Sequence, residues 1–124
     1  MSTVLIVEDN DKNMKLARDV LQAKGYQTLE AITGEDGVKL ARERKPDLVL
    51  MDIQLPGING IEAFRQIRAD AKTSGIPVVA LTASVTPTDR SAIAAAGFDA
   101  FISKPINLKE FLETVKRLAE GGRK

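Results

Sequence analysis

The sequence predicts an open α/β fold: one doubly wound sheet of five parallel strands, with five helices covering both faces. Three observations carry this. Short apolar runs recur five times along 124 residues, and the stretches between them place apolar side chains at helical spacing. The first, third and fourth runs are nearly continuous and rich in β-branched residues, as strands covered on both faces must be. Parallel strands need crossover connections, and the intervening helices supply them.

The first strand is TVLIV, Thr3 to Val7. The helix after it puts Met14, Ala17, Val20 and Leu21 on one face and ends at Gly25. The second strand is TLEAI, Thr28 to Ile32, followed by a helix with Val38 and Ala41 inward. Pro46 precedes the third strand, DLVLM, Asp47 to Met51. A Leu55-Pro56-Gly57 turn then directs the chain into a helix carrying Ile61, Phe64 and Ile67. PVVAL, Pro77 to Leu81, and FDAFI, Phe98 to Ile102, are the fourth and fifth strands. Asn107 can cap the last helix, whose stripe is Leu108, Phe111, Leu112, Val115 and Leu118.

Composition bounds the rest. Hydrophobic residues make up 44%, enough for one core, so residues 1–124 read as a single domain. The pattern ends with the fifth helix, and the Gly121-Gly122-Arg123-Lys124 tail reads as a frayed end. Eighteen basic residues against 17 acidic give a net charge of +1, no basis for binding nucleic acid or an anionic membrane. Without cysteine there are no disulfides, zinc–thiolate sites or thiol nucleophiles. Without histidine there is no Ser-His pair and no phosphohistidine on this chain. MSTVLIVEDN lacks the basic start and longer apolar run of a signal peptide, and no apolar run approaches the ~20 residues of a membrane span. The expected compartment is the cytoplasm.

Open α/β sheets bind ligands beyond the carboxyl ends of their strands. Here those ends carry Glu8-Asp9-Asn10, Asp52, Thr82 and Ser103-Lys104-Pro105. Three carboxylates on one edge repel: a pair ~4 Å apart costs about 4 kcal/mol at an effective dielectric of ~20. Lys104 offsets part of this, and a divalent cation offsets it best. An all-oxygen donor set favours Mg2+, with Mn2+ as an alternative, over zinc or copper. Magnesium keeps several waters and commonly binds phosphate. With a phosphoryl group present, Asp52 can act as a carboxylate nucleophile. The metal and Lys104 then neutralise the phosphoryl oxygens, and the Thr82 hydroxyl hydrogen-bonds them.

VEDN, LVLMDIQLPGING, ALTAS and FISKP, in this order and spacing, resemble the receiver domain of two-component response regulators over essentially the whole chain. VEDNDKNMKL and MDIQLPGINGIE are most similar to stand-alone receivers of the DivK type. The resemblance implies a CheY-like (flavodoxin-like) strand order of 2-1-3-4-5, with no output domain and a phosphorelay role. It implies that Asp52 accepts phosphate from a histidine kinase or a histidine phosphotransfer protein. Asp9, Asp52 and the backbone carbonyl of Gln54 would bind Mg2+, with Glu8 acting through a metal-bound water. Lys104 would pair with Asp52 and then with the phosphate, and the Lys104–Pro105 bond would be cis. Thr82 and Phe101 occupy the switch positions, which reshape the surface of the fourth helix, fifth strand and fifth helix for a downstream protein. Such a chain works as a monomer or weak dimer and catalyses only its own phosphorylation and slow autodephosphorylation. Many receivers have Asp where this chain has Glu8, and Tyr is frequent where it has Phe101. Gln54 and Ser84 would flank the attacking water.

Other readings stand beside these. Glu8 and Asp9 can favour the first helix's dipole, with Asn10 and Asn13 as caps or solvent groups. Thr82 can be an ordinary strand-end hydroxyl, Lys104 a surface lysine, and Phe101 partly core. An aspartyl-phosphate phosphohydrolase would want an acid where Gln54 stands. A scaffold-only receiver would have lost Asp9, Asp52 or Lys104, and a DNA-binding regulator would need a helix-turn-helix. Lys109, Lys116 and Arg117, on the polar side of the last helix, are candidates for partner contact or simply a solvated face.

Overall fold

The computed structural model describes residues 2–83 and 86–121, the side chain of Asp89 apart. Strand and helix alternate: β1 (Thr3–Val7), α1 (Asp11–Ala23), β2 (Gln27–Ala31), α2 (Gly34–Arg44), β3 (Leu48–Asp52), α3 (Gly60–Ala69), β4 (Val78–Thr82), α4 (Pro87–Ala96), β5 (Ala100–Ser103) and α5 (Leu108–Gly121). The sheet runs β2-β1-β3-β4-β5, and every neighbouring pair is parallel. The expected architecture and strand order are both observed.

Alternation along the strands sorts the core into two layers. Val4, Ile6, Leu48, Leu50, Val79, Leu81 and Ile102 face α1 and α5, meeting Met14, Ala17, Leu21, Phe111, Val115 and Leu118. Leu5, Val7, Val49, Met51 and Val78 face the other way, onto Val38 and Ala41 of α2 and Ala63, Phe64 and Ile67 of α3. Every residue of β3 and β4 is buried, which is why these runs show no polar alternation. Asn10, Thr33, Asn59 and Asn107 each accept the backbone N–H three residues on, capping α1, α2, α3 and α5.

The boundaries move where tertiary contacts override the local pattern. β2 starts one residue earlier than its apolar run, leaving Ile32 outside and 59% exposed. β5 begins at Ala100, two residues later than expected. Gly97, with φ +95°, closes α4, and Phe98 stacks on Phe64 with ring centroids 4.2 Å apart. β3 and β4 each extend one residue further, so Asp52 and Thr82 belong to the strands themselves. Leu108 is exposed at the head of the α5 stripe. Residues 122–124 of the expected frayed tail lie outside the described residues.

Candidate functional site

The carboxyl edge of the sheet gathers the predicted polar residues. Glu8 leaves β1 with its N–H bonded to the Ala31 carbonyl at 3.0 Å. Ile53, directly after β3, bonds the Leu81 carbonyl at 3.0 Å, and Lys104, directly after β5, bonds the Thr82 carbonyl at 2.8 Å. These continuations of the sheet hydrogen bonding fix where each side chain begins. Carboxylate oxygens of Glu8, Asp9 and Asp52 then lie within 4.8 Å of one another.

Their environments differ. Glu8 is only 1% exposed and Asp52 4%, whereas Asp9 is exposed. The Lys104 ammonium donates to Glu8 Oε1 at 2.7 Å and Asp52 Oδ2 at 3.2 Å, bridging the two buried acids. Their other oxygens accept backbone N–H groups: Asn10 to Glu8 Oε2 at 3.1 Å and Gln54 to Asp52 Oδ1 at 3.1 Å. The Lys104–Pro105 peptide is cis. Thr82 is buried beside this group on β4, in register with Ser103. Phe101, in register with Ala80, is 39% exposed and has the Arg90 guanidinium 5.4 Å from its ring centroid. It is a surface ring more than a core one. Ser84 lies outside the described residues.

Burial pushes the Glu8 carboxyl from 4.5 up to about 7, and its hydrogen bond with Asp52 pushes the same way. Lys104 and the Asn10 N–H pull it down without overcoming burial. Burial also works against the Lys104 ammonium, but Glu8 and Asp52 outweigh it and raise that group above its usual 10.5. Lys104 therefore stays cationic, and Glu8 takes up a proton near neutral pH.

A stability slope follows. In EDTA the folded chain binds a proton at Glu8 near pH 7, where the unfolded chain waits until about 4.5. Between those values the folded state holds more protons, so stability should fall as pH rises through the window. Glu8→Gln should flatten the slope and gain up to about 3 kcal/mol above pH ~7. Urea midpoints between about pH 5 and about pH 8 read this directly, and an equal slope in the variant would refute it.

The donor set suits a hard divalent cation. Three acidic oxygens converge, one on a buried carboxyl that resists ionisation, and neither nitrogen nor sulfur ligands accompany them. Glu8, Asp9 and Asp52 form an acidic group that could hold Mg2+. Gln54 follows Asp52 by two residues and is tied to it through its N–H. The rival view of Glu8 as a group serving the α1 dipole does not describe this geometry: Asn10 caps α1, and the Glu8 carboxylate turns to Lys104.

Two features were missed in the sequence. The Asn10 N–H that clamps Glu8 depends on the turn after β1, which no residue type announces. The close approach of Gly60 to the Asp52 backbone had a faint signal in the Asn59-Gly60 pair. A Cβ there would lie 2.2 Å from the Asp52 carbonyl oxygen.

The profile of the response regulator receiver domain matches residues 4–116. The chain belongs to this family. As a receiver domain it is a signalling module of two-component systems. It is 46% identical over 114 residues to the polar-differentiation response regulator DivK of Brucella anthropi, covering 92% of this chain and 93% of that one. The receiver domain of a sensor histidine kinase from Pseudomonas aeruginosa, crystallised with a magnesium ion in its active-site cleft, superposes with a TM-score of 0.90. It is 31% identical, and the match covers 96% of this receiver and 98% of that one. The receiver domain of a signal transduction histidine kinase from Syntrophus aciditrophicus gives 0.91 at 30% identity, covering 98% and 92%. No helix among the described residues is long and apolar enough to cross a membrane.

Proposed function

We propose that this receiver takes a phosphoryl group onto Asp52 from the phosphohistidine of a kinase or phosphotransfer protein and signals through the surface of α4, β5 and α5. One observation carries the reading: Lys104 bridges Glu8 and Asp52 at 2.7 and 3.2 Å, inside a cluster of three acids. A cluster that pays for burying like charges at a strand edge is suited to a ligand that brings both a cation and an anion.

An Asp52 carboxylate oxygen attacks phosphorus, forming a P–O bond as the P–N bond to the donor imidazole breaks. The released electron pair returns to the imidazole nitrogen, which takes a proton from solvent. Mg2+, when bound, supplies charge neutralisation for the acids and the phosphoryl oxygens. Lys104 already contacts Asp52 and can follow the new negative charge. The Thr82 hydroxyl is the group to turn toward the phosphate, and Phe101, half out of the surface beside Arg90, is the ring that rearranges with it. Slow hydrolysis resets the site. Gln54 offers no acid two residues after the nucleophile, which counts against rapid turnover of a small substrate. A downstream protein would meet the exposed Lys109, Lys116 and Arg117 of α5. The chain would act as a monomer or weak dimer.

Incubation with Mg2+ and acetyl phosphate, followed by intact mass spectrometry, tests this. A single phosphate adduct is expected in Mg2+ and none in EDTA. A folded protein that gains no adduct at any time and shows no response to beryllofluoride would overturn the reading.

A further inference from the structure

The loop from Ile53 to Asn59 carries Gln54 but makes its packing contacts elsewhere. Its two ends are pinned together: the Gly60 N–H bonds the Ile53 carbonyl at 2.9 Å, and the Ile53 N–H bonds Leu81 of β4. The residues between project toward the first turn of α2, where Leu55 and Ile58 pack against the apolar layer holding Val38 and Ala41. Two glycines make this approach possible. A Cβ on Gly34 would lie 2.8 Å from Ile58 Cγ1 and 2.9 Å from the Ile58 carbonyl oxygen. A Cβ on Gly57 would lie 2.7 Å from Glu35 Oε2, and its φ of +74° already favours glycine.

We propose that the first turn of α2, through Gly34 seated on Ile58, is a positioning element for the acceptor site. The inference rests on the Mg2+ and phospho-acceptor reading above and assigns a role to residues that supply no ligand. The mechanical path is short. The Ile58 backbone oxygen cannot rotate away as a side chain would, so an added methyl at position 34 displaces the loop itself. With Ile53 held by β4 and Gly60 held by Ile53, that displacement falls on residues 54 to 58. Gln54 is among them, and its N–H holds Asp52 Oδ1 at 3.1 Å. Outer contacts that orient a metal's ligands typically govern affinity by about tenfold to a hundredfold.

Gly34→Ala should therefore weaken Mg2+ binding about tenfold or more. In cation-free protein it should also shift the Gln54 amide resonance and speed that amide's exchange. Two controls separate positioning from general destabilisation. Gly75→Ala adds a methyl where nothing lies within 4 Å. Ile67→Val loosens the buried far end of α3, lowering stability without touching the loop. Both should bind Mg2+ as wild type does. If Gly34→Ala does not fold, Ile58→Ala removes the side chain that seats the loop on Gly34 and should likewise weaken Mg2+ binding.

Folded Gly34→Ala or Ile58→Ala with wild-type Mg2+ affinity overturns the proposal, whether or not the Gln54 amide moves. Wild-type protein that binds no Mg2+ would instead overturn the reading of the site. The Gln54 amide, measured without cation, would then decide alone whether α2 positions the loop.

Discussion

Asp52→Asn is expected to abolish the phosphate adduct while leaving the fold at least as stable in EDTA. The carboxamide keeps the shape of the side chain and can still accept the Gln54 N–H, but it carries no charge to attack phosphorus. Above about pH 7, where Glu8 is ionised, two repulsions disappear, with Glu8 and with Asp9, and one attraction, to Lys104. Each is about 4 kcal/mol at ~4 Å before screening, so the balance should favour the variant by roughly 1 kcal/mol or more. Lys104 keeps its 2.7 Å partner, Glu8, and is not stranded. Intact mass spectrometry and urea denaturation together test both halves. An adduct that survives the substitution would move the acceptor to another acid and dismantle the mechanism above.

Gly60→Ala should cost about 3 kcal/mol or more. The new methyl would meet the Asp52 carbonyl oxygen at 2.2 Å, the Ile53 Cα at 2.8 Å and the Asp52 carbonyl carbon at 2.9 Å. All three are backbone atoms at the end of a buried strand, so no side chain can swing aside. Relief must come from moving α3 away from β3, which breaks the bond from the Gly60 N–H to the Ile53 carbonyl. Since domains of this kind hold roughly 5–15 kcal/mol in total, a large share of the stability is at stake. The urea midpoint should fall steeply, and Asp52 should label more slowly in whatever remains folded. A loss below about 1 kcal/mol would show that the helix relaxes freely and that the close approach is incidental.

The parts of the molecule that could be read ahead were those whose cause is local or compositional. β1, β3 and β4 announce themselves because strands buried on both faces need continuous apolar, β-branched runs. Asp52 and Lys104 stand out because charged residues directly after such runs need a reason to be there. Residue type alone did not separate Glu8 from Asp9, although the family resemblance gave them different roles; one is buried and the other exposed. Which of two adjacent acids turns inward depends on the path of the chain after β1 and on Lys104, 96 residues away. The late start of β5 likewise depends on Phe98 finding Phe64 across the sheet face. Gly60 was only faintly legible, and Gly34 not at all, for the same reason: a missing Cβ matters only where another backbone comes close.

That 96-residue span between Glu8 and Lys104 also sets when the acidic group can be assembled. Glu8, Asp9 and Asp52 are synthesised early, but Lys104 follows the fifth strand and reaches them only once that strand has left the ribosome and joined the sheet. A nascent or truncated chain presents repelling carboxylates and no lysine to gather them. On the proposed reading, acceptor chemistry that draws on Lys104 would wait for the completed sheet, and an unfinished chain would stay silent.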